Sequence, residues 1–398
     1  MTRRTRLRTL SALSATVLAL TAVMMWHLLS PAQRGGGQGP PSTAKTRAPY
    51  AYLTPNSVVV MNGSHTVRRE PRPYDADEEP PRWTADGRYV FFLRTPPGTK
   101  DKDETGNLFE QELVVIDSVD GTVRKRPCPD CTGSGPVGGA RVLAHQTDIE
   151  RNSSLLAFDL HSQEPPIRFS LSEEPPGDAS MLIGLPNAVL LAVSDPATAT
   201  AYGGPQSLYV LDEEGQIYGV GSTGSDATVS ITAADRRDGK RPQVALVTGV
   251  HASACETNDA VTVMDVLSRR TRTLDMSSTR PPTSRTGPSG LAVRDLWFNQ
   301  QGTLHATVAA WRCDYAAPNP VVQTLAPSVW RLDGTHWTVT ENGPIGKIRT
   351  LPDGTELRLG ASPNDAPSAG AQLRSISRGA SRMIARDVLD VLVPEPVL

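Results

Sequence analysis

The sequence predicts an all-β protein, and two observations lead to that prediction. From Tyr50 onward, apolar runs of four to seven residues, rich in Val, Leu and aromatic residues, alternate with short turn sequences. Several turns contain an Asp-Gly pair, as in Trp83–Leu93, and such pairs favour β-hairpins because both turn positions adopt positive φ at low strain. No long amphipathic helical pattern interrupts the runs, and only Ser381–Val393 is ambiguous between helix and strand.

The spacing of these hairpins predicts a β-propeller. Hairpins recur about every 20–25 residues, so a two-hairpin unit recurs about every 45–50, which is the length of a propeller blade. On this basis full blades are predicted at 82–126, 140–171, 181–222, 229–275, 293–340 and 345–385. The remaining strands predict a seventh blade built from both ends of the chain: Tyr50–Leu53, Val58–Met61, Thr66–Arg69 and Val388–Val393. Six or eight blades are alternatives because 140–171 is poorly patterned, and a β-sandwich shares the short-strand spacing.

The first 49 residues have a different composition from the rest. Residues 1–9 are basic and predicted to be cytoplasmic, and Leu10–Leu29 contains no formally charged side chain over a length that spans a bilayer as a helix. This segment is either a transmembrane anchor or a secretory signal cleaved near Ala32. Residues 30–49 form a predicted flexible Gly/Pro linker, and residues 50–398 form the propeller domain. We therefore expect a single-pass membrane protein with its C-terminal domain outside the cell, or a secreted protein.

Charge and composition exclude several classes of protein. The 398 residues are 38% hydrophobic and 21% charged, which is typical of a soluble globular domain. The formal net charge is -2, so a strongly basic nucleic-acid binder is not expected. Five of the forty basic residues precede residue 35, where no acidic residue occurs, leaving a mildly acidic body of 35 basic against 42 acidic residues.

Two sequence stretches resemble a known family of propellers. Pro81–Phe92 (PRWTADGRYVFF) resembles the repeat of TolB-like β-propellers, and Leu208–Asp212 with Gly215 resembles the companion hairpin of the same blades. The resemblance implies an extracytoplasmic, WD-repeat-like propeller that binds other proteins and has no chemistry of its own. The chain lacks the N-terminal α/β domain of that family, and its Arg-rich, Lys-poor composition favours an actinobacterial relative.

The connections between strands predict where binding occurs. Because strands alternate in direction, the predicted long loops all fall on one face of the propeller: 95–110, 127–138, 195–207, 250–260, 275–292 and 311–328. Long loops on a rigid scaffold are where binding sites are commonly built, although loops also vary without function. Within them Trp311, Arg312, Asp314 and Tyr315 form the most ligand-like cluster, with packing of Trp311 in a core strand as the alternative.

The four cysteines are predicted to form structural disulfides. An even count in an exported protein suggests two bridges, Cys128–Cys131 and Cys255–Cys313, the second joining equivalent loops of adjacent blades. A redox-active CxxC or a zinc site is disfavoured, because neither a βαβ context nor a second CxxC is present.

One acidic stretch has the spacing of a calcium loop. Candidate ligands are Asp101, Asp103, Thr105, Asn107 and Glu112, with Gly106 at the sixth position. The flanking strands and Lys102 argue instead for a solvated acidic loop without a cofactor.

Catalytic motifs are not found in the sequence. There is no GxSxG, HExxH or phosphate-binding GxxxxGK[ST] motif, and the histidines are scattered. We therefore predict a non-catalytic, monomeric extracytoplasmic propeller that binds an envelope protein. The alternatives are a propeller enzyme of lyase or lactonase type, with a site assembled in the axial channel, and a binder of cell-wall polysaccharide.

Overall fold

The computed structural model describes fourteen segments of the chain between residues 48 and 394: 48–72, 79–96, 110–147, 153–169, 178–185, 188–194, 204–212, 214–223, 227–235, 242–253, 256–276, 289–313, 321–361 and 370–394. The chain divides into two units, Met1–Thr46 and Arg47–Leu398. All described residues belong to the second unit, so the predicted basic segment, apolar segment and most of the linker lie outside them. Within the described residues, no helix is long and apolar enough to span a membrane.

The described residues form strands that assemble into seven four-stranded antiparallel sheets. The first described strands are β1 (Pro49–Thr54), β2 (Ser57–Asn62) and β3 (His65–Pro71). Blade 1 contains β4 (Arg82–Trp83), β5 (Tyr89–Arg94), β6 (Glu112–Asp117) and β7 (Val123–Pro127). Blade 2 contains β8 (Cys131–Pro136), β9 (Arg141–Thr147), β10 (Ser153–Asp159) and β11 (Ile167–Phe169). Blade 3 contains β12 (Asp178–Leu185), β13 (Ala188–Ser194), β14 (Gln206–Asp212) and β15 (Ile217–Ser222).

The remaining blades follow the same order from the axis outward. Blade 4 contains β16 (Ala227–Asp235), β17 (Gln243–Ser253), β18 (Glu256–Asp265) and β19 (Arg270–Leu274). Blade 5 contains β20 (Ser289–Phe298), β21 (Leu304–Cys313), β22 (Val321–Asp333) and β23 (His336–Glu341). Blade 6 contains β24 (Ile345–Thr350), β25 (Glu356–Gly360), β26 (Ala371–Ser377) and β27 (Ala380–Val388). Blade 7 combines β28 (Asp390–Leu392) with β1, β2 and β3.

The ring closes where the two ends of the domain meet. The C-terminal β28 is the innermost strand of blade 7 and pairs antiparallel with β1, from Ala51 opposite Leu392 to Leu53 opposite Asp390. This arrangement confirms the predicted seven-bladed propeller with one blade built from both termini. It also pairs strand edges that would otherwise remain open to other chains.

Apolar side chains pack between neighbouring blades. The cluster between blades 6 and 7, for example, joins Leu357, Leu359 and Leu373 to Tyr50 and Val391. The hydrophobic effect of this burial holds adjacent sheets face to face. We call the side with the first-to-second and third-to-fourth strand connections the turn face, and the opposite side the loop face.

Two predictions about local structure were wrong. The first strand of blade 2, Cys131–Pro136, was assigned to a loop at 127–138, because its sequence CTGSGP is poor in apolar residues. The predicted loops at 250–260 and 311–328 are largely strand, since β17 and β18 continue to Ser253 and from Glu256, and β21 and β22 continue to Cys313 and from Val321. The ambiguous stretch at 381–393 is also strand.

Candidate functional site

Charged side chains on the inner strands form ion pairs around one half of the axis. Arg349 on β24 donates two hydrogen bonds to Asp295 on β20, with distances of 2.5 Å to Oδ2 and 2.8 Å to Oδ1. Lys347 Nζ, also on β24, lies 2.7 Å from Asp390 Oδ1 on β28 and 4.0 Å from Asp295 Oδ1. The four residues link blades 5, 6 and 7, and the Asp295 side chain is only 3% exposed.

On the other half of the axis, side chains satisfy backbone groups. Arg82 Nη1 on β4 donates to Leu182 O on β12 over 3.3 Å, so its side chain reaches past blade 2 to blade 3. Thr232 Oγ1 on β16 donates to the same carbonyl over 3.2 Å. The Glu79 carboxylate accepts from Ser134 N on β8 at 2.8 Å. These hydrogen bonds connect inner strands of different blades.

Bulges explain why the inner strands offer such groups. In five of the seven inner strands the pairing register slips by one residue, at Thr132, Leu182, Ser230, Arg294 and Gly346. A bulge removes a residue from the ladder and re-aims its backbone groups. The Leu182 carbonyl is one such group, and it is satisfied from neighbouring blades rather than by its own sheet.

This arrangement limits the chemistry available at the axis. Both oxygens of Asp295 bind the Arg349 guanidinium, and Asp390 binds the Lys347 ammonium, so neither carboxylate is poised as a general base. No group of three or more potential metal ligands occurs within the described residues.

The loop face carries a second notable feature in blades 4 and 5. The outer strand β19 pairs with β18 only from Val261 onward, and β23 pairs with β22 only from Val329 onward. The central hairpins therefore extend past their outer strands on the loop face. We call the described residues 248–253 and 256–260 of blade 4, and 309–313 and 321–328 of blade 5, the raised hairpins.

Both raised hairpins contact the inner strand β20 of blade 5. Asp259 on β18 accepts a hydrogen bond of 2.7 Å from the backbone N of Val293, which adjoins the bulge in β20 of the next blade. Trp311 and Cys313 are buried and pack against Ala292 of β20. These contacts make the hairpins part of the rigid scaffold.

The predicted interaction cluster is divided by this packing. Trp311 is 6% exposed and faces the interior, which matches the packing alternative, while Arg312 is partly exposed. Asp314 and Tyr315 lie outside the described residues. Ala326, on the same raised hairpin, is exposed.

One predicted disulfide is present and the other is only partly described. Cys128 and Cys131 are bonded to each other and buried, as predicted. Cys313 is also disulfide-bonded. Its predicted partner Cys255 lies outside the described residues, so the Cys255–Cys313 pairing stays a prediction.

The predicted calcium loop falls mostly outside the described residues. Four of its candidate ligands lie outside the described residues: Asp101, Asp103, Thr105 and Asn107. The fifth, Glu112, is the first residue of β6. Its carboxylate accepts a 2.8 Å hydrogen bond from Arg94 Nε and lies 3.7 Å from Lys125 Nζ. A calcium ion would compete with these two cations for Glu112.

A shallow cavity between blades 2 and 3 is too small to suggest a substrate site. It has room for about one water molecule, and Leu143, Leu211 and Asp212 contribute to its lining. Ligand pockets commonly occupy about 300–1,000 Å³.

Sequence analysis did not single out the axial charges. Asp295, Lys347 and Asp390 lie in strands that mix charged and apolar residues, and charges of this kind also occur in strands that are not inner, such as β6 and β14. Their pairing is not visible in the sequence, because Lys347 and Asp390 are 43 residues apart and Asp295 and Arg349 are 54 apart.

Comparisons with known proteins find likenesses among solved structures at low sequence identity. No protein-family model matches the sequence, and no curated protein sequence matches it. Among solved structures, the β-propeller domain of the Trilobed protease from Pyrococcus furiosus is similar, with 12% identity, a TM-score of 0.49, and coverage of 85% of this chain and 93% of that one.

Two further structures show the same level of similarity. Acylaminoacyl peptidase from Pyrococcus horikoshii has 12% identity and a TM-score of 0.49 over 83% of this chain. The match covers 47% of that peptidase, so this chain spans about half its length. An ulvan lyase of polysaccharide lyase family PL25 has 11% identity and a TM-score of 0.44, covering 78% of this chain and 85% of that one.

Proposed function

We propose that this chain is a non-catalytic extracytoplasmic propeller whose loop face binds a protein of the cell envelope. The observation that carries the proposal is the pair of raised hairpins, which extend past the outer strands of blades 4 and 5 on the loop face and both contact β20, through Asp259 to Val293 and through Trp311 to Ala292. The export segment predicted at Leu10–Leu29 and the disulfide between Cys128 and Cys131 support an oxidising location outside the cytoplasm.

Rigid projecting hairpins suit protein binding for an energetic reason. A partner that docks on a preformed surface does not have to order it, so less of the interaction free energy is lost to entropy. Ala326 is exposed on the blade 5 hairpin, whereas the neighbouring Trp311 is buried and supports the backbone. The hairpin backbone thus presents a fixed surface whose interior is already packed.

The engaged charges at the axis favour binding over catalysis. A propeller enzyme would need acids or bases free to act, whereas Asp295 and Asp390 are held by cations on β24. An activity detected with polysaccharide or lactone substrates and lost on changing these residues would favour the enzymatic alternative.

The test combines site-specific crosslinking with a matched pair of substitutions. A photocrosslinking amino acid at Ala326 is expected to capture one envelope protein in cells that naturally produce the chain. The same amino acid at Leu267, which is 69% exposed on the turn face of blade 4, serves as the control. The purified partner should then bind the wild-type chain and the Leu267→Arg variant equally well. It should bind weakly to Ala326→Arg and to a chain whose hairpins at 250–260 and 311–328 are shortened. Equal binding to all variants would refute the proposal.

A further inference from the structure

The outer hairpin of blade 6 is unusually basic. Strands β26 and β27 and the turn between them carry four exposed arginines: Arg374, Arg378, Arg382 and Arg386. Met383 lies among them and is 37% exposed. We call this the arginine hairpin, residues 371–388. It lies in a domain with more acidic than basic residues, so its charge is a local feature.

These arginines have no ion-pair partner within the described parts of the chain. Arg374 donates a hydrogen bond of 3.1 Å to Gln372 Oε1, which is uncharged. By contrast, Arg358 in the same blade pairs with Glu356 at 2.7 Å and also with Glu341. Within residues 371–388, Asp387 is the one carboxylate against four arginines, so the hairpin carries an excess of positive charge.

The arginine hairpin lies where the described chain begins. Ala48, the first described residue, is buried in one cluster with Leu373 of β26, and Ile384 and Ala385 of β27 pack against that cluster. Burial raises the pKa of Tyr50 on β1 to about 12, with Tyr52 acting in the same direction and the nearby Arg382 cation opposing them. The described chain therefore begins beside the arginine hairpin.

The arginine hairpin turn and the start of β1 also lie on the same face of the propeller. The turn that joins β26 to β27 contains Arg378 and is a third-to-fourth strand connection, so it lies on the turn face. The start of β1 lies on that face as well, because Ala48 O accepts a hydrogen bond from Gly63 N in the turn between β2 and β3. In the membrane-anchored form of the proposed function, the anchor precedes Ala48 in the sequence, so the described chain starts on this face.

We propose that the arginine hairpin binds the surface of an anionic phospholipid membrane. This inference rests on the membrane-anchored form of the proposed function. The guanidinium groups of Arg374, Arg378 and Arg382 bind lipid phosphates, and Met383 contacts the interfacial region beside them. Each basic residue near such a surface strengthens binding about fivefold. The loop face with its raised hairpins then points away from the membrane toward the envelope partner.

The test uses the full chain reconstituted through residues 10–29 into lipid nanodiscs. Hydrogen exchange of residues 371–388 is compared in discs of phosphatidylcholine alone and in discs that also contain phosphatidylglycerol. We expect slower exchange only in the anionic discs, and we expect high salt to abolish the difference because it screens the charges. The variant R374Q/R378Q/R382Q should lose the protection without a change in its thermal unfolding midpoint.

A matched variant controls for general charge effects. Arg270 and Arg272 are exposed on the outer strand of blade 4, and R270Q/R272Q should leave protection of the arginine hairpin unchanged. Equal exchange in the two kinds of disc, or protection that survives the triple substitution, would overturn the proposal. Protection by soluble polyglutamate but not by anionic discs would assign the hairpin to an acidic polypeptide instead.

The outcome is separable from that of the proposed function. Partner binding is measured at Ala326 on the loop face, and the triple arginine variant should retain it in detergent solution. If hairpin protection fails while partner binding holds, only the membrane contact is refuted. If partner binding fails while hairpin protection holds, the proposed scaffold role is refuted.

Discussion

Asp295 and Arg349 form a two-pronged ion pair across the boundary between blades 5 and 6, close to the propeller axis. The carboxylate is almost fully buried, whereas the guanidinium is 19% exposed. Burying such a pair costs free energy, and removing one of its two charges costs more, because the remaining buried charge then lacks its counterion. It fixes two inner strands relative to each other, and Lys347 extends the same network to the closing strand β28.

Replacing Asp295 should destabilise the propeller strongly. Asp295→Asn removes the negative charge opposite Arg349, and we expect a loss of about 3 kcal/mol in the free energy of unfolding. Urea denaturation would measure it. The exposed pair of Arg331 and Asp333 has similar geometry, with Nη2 and Oδ2 separated by 2.8 Å, so Asp333→Asn serves as the control and should have a much smaller effect. Equal effects of both substitutions would contradict this account.

Removing the closing strand should open the ring. Deleting residues 389–398 removes Val391, which is fully buried, and the Asp390 partner of Lys347. We expect a loss of about 3 kcal/mol or more and self-association through the exposed edge of β1. Light scattering and thermal unfolding would reveal both effects. Deletion of 395–398 alone should change neither, and a stable monomer without β28 would show that the closure is dispensable.

Stability should fall as the pH decreases below about 6.5 through His305. Burial lowers the pKa of His305, the Arg331 cation acts in the same direction, and Asp333 opposes them. The unfolded chain therefore binds a proton at higher pH than the folded chain, so stability is lost as pH falls from the unfolded pKa through the folded one. His305 also stacks on Trp297, with ring centroids 5.4 Å apart.

The His305→Gln variant separates this contribution from other titrations. Glutamine can still accept from Asn299 Nδ2, which lies 3.3 Å from His305 Nε2. Denaturation at pH 7 and pH 5 should show a smaller loss of stability for the variant than for the wild-type chain. The same loss in both proteins would rule out His305 as the source.

The two disulfides should differ in their effect on stability. In the chain-entropy view, closing the short Cys128–Cys131 loop contributes about 2 kcal/mol, and a bridge between Cys255 and Cys313 contributes about 4 kcal/mol. Cys313→Ser should therefore destabilise the chain more than Cys131→Ser. Mass spectrometry of a non-reducing digest should also recover a peptide linked through Cys255 and Cys313; a linkage of Cys313 to any other residue would exclude the predicted pairing.

The blade count could be predicted because hairpins are local. One hairpin lies within a dozen residues: it contains Trp83, the Asp-Gly turn at 86–87 and the apolar run Tyr89–Leu93. The same pattern of strand, turn and strand recurs in the other blades. Central strands such as β5 and β6 are buried on both faces, so short continuous apolar runs suffice to indicate strands. The closing blade could be predicted from the same blade count, because three strands at the start of the domain and one at its end remained unassigned and together make a four-stranded sheet.

The missed features depend on contacts between distant parts of the chain. β8 contains two glycines and a terminal proline, and it is held as a strand in part by Glu79, 55 residues before its partner Ser134. Pro136 fits against blade 3 because Gly184 has no side chain: a Cβ there would lie 2.6 Å from Pro136 O. The raised hairpins likewise depend on Asp259 and Val293, 34 residues apart. Local sequence patterns do not contain these pairings.

The most direct test of the central claim is the affinity of the crosslinked envelope protein for the two faces of the propeller. Isothermal titration of that purified protein against the wild-type chain, Ala326→Arg and Leu267→Arg would compare the loop face with the turn face. The account predicts that Ala326→Arg weakens binding by about tenfold or more, as expected for disrupting a central contact, and that Leu267→Arg does not. Unchanged binding by Ala326→Arg, together with weakened binding by Leu267→Arg, would place the partner on the opposite face and contradict the account.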